Sequence, residues 1–336
     1  MSVDFTRPSL FRAILYFLFL YVMFRCREWF CVPLSAAPDE TLMPLQQGMT
    51  GFFAGHPVWK EIWLFFTSIF CALSITRTLS QNMVYLERTF LPTLLFPLFA
   101  FGYTSTSATP VVMTVAFLLV FALGSMMRSY KREGRVGCFF HAAVALGIMP
   151  LIYAPAIAFF LLLPIGFGLF RQNWRAILSA LLGYLLPLFF CSYVFWGMGR
   201  DFDETARQIL SHLTSFPPRT VSFEMLGVWD YILAGLLLAL ILLAVIRFTV
   251  GQPQIRRRAQ RGFALFAWTF IIVCGLISSP ARSIDLLPLL AVPLAAILPS
   301  AVNRKTGWRA NLIYLLMLWS ILAYNIVHYF YPFFNR

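Results

Sequence analysis

The stretch Val136–Phe170, VGCFFHAAVALGIMPLIYAPAIAFFLLLPIGFGLF, contains no Lys, Arg, Asp or Glu. As one straight helix it would run about 52 Å at ~1.5 Å per residue. The hydrocarbon core of a bilayer is only about 30 Å thick. Pro150 and Pro155 stand near its middle, and an interior proline removes a helical hydrogen bond and clashes with the preceding turn. The stretch therefore reads as two spans, Val136–Tyr153 and Ala154–Phe170, joined by a tight hairpin. The run Gly262–Leu298 divides in the same way at Ser278-Ser279-Pro280, giving Gly262–Ile277 and Ile284–Leu298.

The rest of the chain offers the same kind of segment at Leu10–Phe30, Ile62–Thr76, Thr89–Tyr103, Pro110–Met127, Ala176–Trp196, Trp229–Ile246 and Ala310–Phe330. With the four above, the expectation is an all-α polytopic transmembrane bundle of about 11 spans, one integral membrane domain covering residues 1–336. Composition agrees. Hydrophobic residues make up 60% of the chain and charged residues 12%, against about a quarter charged in soluble domains. A soluble fold could not hide so much apolar surface, because over half of its accessible area is already apolar.

The formal net charge of +13 would suggest nucleic acid in a soluble protein. Here the cations flank apolar runs, so no nucleic-acid partner is expected. With the N-terminus in the cytoplasm, the inner cations are Arg7 and Arg12; Arg77 and Arg88; Arg128, Lys131, Arg132 and Arg135; Arg171 and Arg175; Arg247, Arg256, Arg257, Arg258 and Arg261; and Arg304, Lys305 and Arg309. That leaves eight of the 26 Lys and Arg outside, and every inner loop holds at least two, as the positive-inside rule requires. The expected location is the cell inner membrane. Ser35-Ala36-Ala37 resembles a cleavage site, but Arg25, Arg27 and Glu28 interrupt the approach and Pro38 follows it, so an uncleaved first span is expected. The six cysteines are scattered without a CxxC pair, which indicates neither a zinc site nor a disulfide framework.

Two outer loops are long, Val32–Glu61 and Gly197–Asp230. In the first, Leu42, Leu45, Met49 and Phe52 recur at helical spacing. In the second, Phe202, Ala206, Ile209, Leu210 and Leu213 do so, opposite Asp203, Glu204, Arg207 and Gln208. Each pattern predicts an amphipathic helix on the outer interface.

Candidate chemistry gathers on the outer side. Asp39-Glu40 lies beyond the first span, where a carboxylate can act as a general base or hold a divalent cation. Capping the helix that follows is the more ordinary role for such a pair. Asp201, Asp203, Glu204, Arg207 and His212 form a second acidic group, for which a solvated polar face is the ordinary explanation. Arg282 and Asp285, three residues apart at the entry of a short span, suit either a local ion pair or an anion-binding arginine oriented by a carboxylate. Arg25 and Glu28 are likewise at pairing distance on a helix, with snorkelling the plain account of Arg25. His141 lies within a span and suits a hydrogen-bonded packing role or proton handling. No Walker, HExxH or GxSxG motif occurs.

Arg88-Thr89-Phe90-Leu91-Pro92, Tyr153-Ala154-Pro155 and Asn173-Trp174-Arg175, with Gly183 and Pro187, resemble an uncharacterised multi-pass membrane family of Bacteroidota, which implies no activity. More remotely, the layout resembles the GT-C superfamily of membrane glycosyltransferases in its many spans, its long first outer loop with an acidic motif, and its interfacial helices. That resemblance implies a membrane lipid partner, polyprenyl phosphate carrying a sugar. Asp39 or Glu40 would then be the base or cation-holding carboxylate, and Arg282 a carrier-phosphate contact. The chain departs from that layout in having short outer loops and no soluble domain after the last span. A transporter or flippase of an envelope precursor, and a non-catalytic envelope assembly factor, are the competing expectations.

Overall fold

The computed structural model describes residues 9–30, 43–82, 84–85, 89–102, 109–129, 136–199, 201–214, 228–250, 257–278, 284–302 and 314–325. Among these the chain is helical with no strand. The helices are α1 (Leu10–Phe30), α2 (Pro44–Gly55), α3 (Pro57–Gln81), α4 (Leu91–Phe101), α5 (Pro110–Ser129), α6 (Val136–Ile152), α7 (Leu162–Phe170), α8 (Trp174–Gly197), α9 (Phe202–Thr214), α10 (Val228–Val250), α11 (Arg257–Ser278), α12 (Ala291–Ile297), α13 (Pro299–Val302) and α14 (Tyr314–Asn325). Two 3-10 segments, Ala154–Leu161 and Ile284–Leu290, lead into α7 and α12. Proline opens α2, α3, α5 and α13, at a position where its missing N–H and fixed φ cost nothing.

Four helices are long and apolar enough to cross a membrane: α3, α5, α8 and, within α11, Ala259–Ile277. The chain is thus a membrane protein by the length and composition of these helices. Shorter apolar helical segments are Leu91–Phe101, Gly137–Ile152, Ala154–Phe170, Tyr231–Ile246, Leu286–Ile297 and Tyr314–Asn325. The third expected span, Thr89–Tyr103, forms only the 11 residues of α4, about 16 Å of helix.

α4 is buried along its whole length and packs against α1, α3, α12 and the Ile284–Leu290 segment. It lies at the heart of these packed helices. α8 lies at the periphery, and the window of it that would cross the membrane is 28% buried. Exposed Leu178, Leu182, Leu185 and Phe189 form an apolar stripe along it. Such a stripe is cheap in lipid and costly in water.

The expected hairpin is present. Helix α6 ends at Ile152, and Tyr153 is extended at φ −146°, ψ 108°. The chain then returns along α6: the ring of Phe139 near the start of α6 lies 5.2 Å from that of Phe167 near the end of α7. Gly166 admits this approach, since a Cβ there would sit 3.3 Å from both Met126 Sδ and the Phe139 ring.

Hydrogen bonds tie the helices together at two ends. At one end Trp63 Nε1 donates to Thr114 Oγ1 at 2.9 Å, and Asn325 Nδ2 donates to the Gly102 carbonyl at 2.8 Å. At the other, the hydroxyls of Thr76 and Thr93 meet at 2.8 Å, and Ser300 Oγ donates to the Ala244 carbonyl at 3.0 Å. The Tyr85 hydroxyl there donates to the Ala296 carbonyl, fixing the α3–α4 turn to α12. Burial pushes the Tyr85 phenol above its usual range, because the interior penalises the phenolate. A group whose pKa is raised by folding stabilises below its unfolded pKa and stops doing so as pH climbs through the folded one. Tyr85→Phe is therefore expected to lose about 1 kcal/mol near neutrality. It should also lose less stability than the parent above about pH 10. Thermal melts in detergent at neutral and alkaline pH check both, and parallel alkaline losses in the two proteins would refute the second.

Candidate functional site

Both expected amphipathic helices are present. α9 buries Ile209 and Leu213 while Asp203, Arg207 and Leu210 stay exposed, so Leu210 lies off the stripe assigned to it. α2 carries Met49 half-buried, with Leu45 and Phe52 exposed. The two helices sit at the same end of the bundle. Met43, the residue before α2, packs in one apolar cluster with Ile209 and Leu213 of α9, Leu151 at the end of α6 and Cys191 of α8. A platform is thereby built from α2 and α9, on the end where α6 stops and α8 leaves. α6 and α8 approach closely to support it. A Cβ on Gly147 would lie 2.3 Å from the Tyr184 carbonyl oxygen, and one on Gly183 would lie 3.0 Å from that of Phe140.

At this same end is an ion pair between helices. Arg25 of α1 directs Nε to Glu61 Oε2 at 3.1 Å and Nη2 to Glu61 Oε1 at 2.5 Å. The Arg25 side chain is 2% exposed and that of Glu61 30%, so Arg25 does not snorkel. The Tyr21 hydroxyl donates to the Glu61 backbone carbonyl at 3.4 Å. The Tyr21 ring meets Phe65 at 5.3 Å and Phe101 at 5.2 Å, both edge-on. These contacts fasten α1, α3 and α4 at one level. They also clamp the two ends of the Val32–Glu61 loop, because Arg25 lies just before it and Glu61 closes it. The two-pronged guanidinium–carboxylate geometry is the strongest kind of ion pair.

Sequence periodicity could not supply this partner. It offered Glu28, three residues from Arg25, but the Glu28 side chain lies outside the described residues; the partner seen here, Glu61, is 36 residues away. The one available signal was a lone acid, Glu61, at the mouth of an apolar run.

The remaining expected residues are only partly visible. Asp39, Glu40 and Arg282 lie outside the described residues, as do the side chains of Glu28, Glu204, His212 and Asp285. The backbone of Asp285 belongs to the 3-10 segment Ile284–Leu290, which packs against α4, α5 and α11. Asp201, Asp203 and Arg207 are exposed. His141 is exposed on α6, with Nδ1 against the Gly137 carbonyl. Among the described residues no three His, Cys, Asp or Glu side chains converge as a metal site would require. Cys71, Cys138, Cys191 and Cys274 are free thiols.

The opposite end of the bundle is cationic. Arg77, Arg128, Arg171, Arg175 and Arg257 are all exposed. Arg128 turns back to donate to the Gly124 carbonyl at 3.2 Å and to Ser125 Oγ at 3.0 Å. Arg175 lies 5.9 Å from the ring of exposed Trp174, an arrangement suited to a headgroup region.

No family model matches the chain, and neither a curated protein nor a solved structure matches it.

Proposed function

We propose that the chain is an inner-membrane protein of eleven spans with its N-terminus in the cytoplasm. We propose further that it transfers sugar from a polyprenyl-phosphate carrier at the outer face, as the GT-C enzymes it resembles do. The topology draws support from the way contacts sort by end. Arg25 with Glu61 and Gly102 with Asn325 belong to one end. Thr76 with Thr93 and Ala244 with Ser300 belong to the other, where the exposed arginines stand. A chain threading up and down eleven times requires that sorting, and cations at the second end make it the inner one.

The observation that carries the activity reading is the platform joining α2 and α9 through Met43. Three peptide links separate Glu40 from Met43, a reach of at most about 11 Å. On this reading Asp39 or Glu40 takes the proton of the acceptor hydroxyl as that oxygen bonds to the sugar. The carrier phosphate departs with the electron pair of the broken bond, stabilised by Arg282, which Asp285 orients.

The variant Asp39→Asn/Glu40→Gln/Asp285→Asn is expected to abolish the envelope glycan made through this protein while leaving its membrane level unchanged. Unchanged glycans would sink the transferase reading. Reporter fusions at Arg132 and Arg257 are both expected to report cytoplasm; a split result would sink the topology. The 3-10 segments Ala154–Leu161 and Ile284–Leu290 favour a second reading, a flippase with irregular backbone around a midplane site. Carrier translocation in proteoliposomes without glycan transfer would select it.

A further inference from the structure

A groove of about 720 Å³ runs between α2 and the first turns of α3. Its walls include Gly48, Met49 and Phe52 from α2, Trp63 and Phe66 from α3, and Thr114 from α5. Polar groups that face it are already committed. Trp63 Nε1 donates to Thr114 Oγ1 at 2.9 Å, and that hydroxyl donates to the Pro110 carbonyl at 2.7 Å. A ligand inside the groove finds no more than a spare lone pair on Thr114 Oγ1, far too little to satisfy a sugar, a nucleotide or a peptide backbone. The groove opens beside Ile62, Phe66 and Phe70, an exposed apolar stripe at helical spacing on a helix that can cross a membrane. Its interior is thus continuous with the lipid around the bundle. Lys60 follows the groove-lining Trp59 in the first turn of α3, putting a cation on the helical turn that borders the groove, where a headgroup would lie.

We propose that this groove seats one acyl chain of an anionic phospholipid, its headgroup held beside Lys60. The volume falls in the range of small-ligand sites, which suits a single acyl chain. The chain of a polyprenyl carrier is far longer and branched at every unit, and would overrun the groove. The proposal rests on the membrane placement of the protein and not on the transferase reading.

Gly48 supplies the decisive variant. A Cβ there meets nothing within 4 Å, and a leucine in mid-helix raises helix propensity, so Gly48→Leu fills the groove without straining the fold. The full-length protein is reconstituted in phosphatidylcholine vesicles containing a minority of phosphatidylglycerol with a diazirine in its acyl chain. After photolysis, adducts are mapped by mass spectrometry. Adducts are expected to concentrate on Met49, Phe52 and Phe66 above the level on Leu182 and Phe189 of α8. Gly48→Leu should bring the groove down to the α8 level, leaving α8 unchanged. Lys60→Gln should cut groove labelling by about five-fold, the worth of one lysine at an anionic surface. Equal labelling of groove and α8, or labelling indifferent to Gly48→Leu, overturns the proposal while leaving the membrane reading intact. Preferential labelling by a diazirine prenyl phosphate overturns the choice of occupant. Labelling nowhere on the chain overturns the membrane placement itself.

Discussion

Replacing Glu61 with alanine is expected to destabilise the protein more than replacing Arg25 with methionine, and replacing both is expected to restore most of the loss. The asymmetry comes from burial. Arg25 is 2% exposed and Glu61 30%. Without Glu61, a buried guanidinium loses the carboxylate that receives both Nε and Nη2. Removing one partner of a buried pair costs about 3–5 kcal/mol. Glu61 is partly solvated, so the low end, about 3 kcal/mol, is expected. Arg25→Met keeps most of the volume and lets the carboxylate turn its open side to water, for a loss of about 1 kcal/mol. The double variant Arg25→Met/Glu61→Ala removes both charges together, so the penalty of a buried guanidinium facing no Glu61 carboxylate disappears and most of the loss is recovered. Denaturant titrations in detergent, followed by tryptophan fluorescence, give the four stabilities of the cycle. A double variant as unstable as the sum of the singles, or Arg25→Met worse than Glu61→Ala, would show that the pair does not fasten α1 to α3.

The clamp has a functional side. The pair closes the base of the Val32–Glu61 loop, which carries Asp39 and Glu40. On the proposed reading, loosening it should lower activity more steeply than stability at growth temperature, because a misplacement of about 1 Å can cost 10²-fold in rate.

What the sequence made legible follows from the range of the forces involved. Period-3.6 stripes report burial within one helix, so Met49, Ile209 and Leu213 could be placed on their buried or half-buried faces. Pro155 opens the 3-10 segment that follows the break, so the Val136–Phe170 hairpin could be placed to within a residue or two, whereas Pro150 is accommodated inside α6. Both signals are local. The Arg25–Glu61 pair is a contact between helices 36 residues apart, and no periodicity encodes it. α4 illustrates a second limit. Its residues are all apolar and all buried, which hydropathy reads as a lipid-crossing segment. Protein rather than lipid surrounds this helix. Hydropathy cannot distinguish those two apolar surroundings.

Glycines mark a third limit, and they yield the second large effect. Gly147 and Gly168 look alike in sequence, each a single glycine in an apolar run. At Gly168 a Cβ would meet nothing within 4 Å, whereas at Gly147 it would meet the Tyr184 carbonyl oxygen at 2.3 Å, its carbon at 3.1 Å and Pro187 Cγ at 3.2 Å. The first two obstacles are backbone and cannot rotate away. Valine at 147 must therefore push α8 from α6, undoing close packing that small residues allow. The expected loss is about 3 kcal/mol, the upper part of the range for overpacked interiors. Gly168→Ala should be neutral or slightly stabilising, through helix propensity alone. The displacement would also reach the platform, because Leu151 and Cys191 lie further along the same two helices and hold Met43, Ile209 and Leu213. Gly147→Val should thus uncouple α9 from the bundle, raising protease cleavage within Phe202–Thr214 in intact vesicles, with Gly168→Ala unchanged. Equal melts for the two variants, or an unaltered cleavage pattern in Gly147→Val, would mean that α6 and α8 do not meet at this glycine.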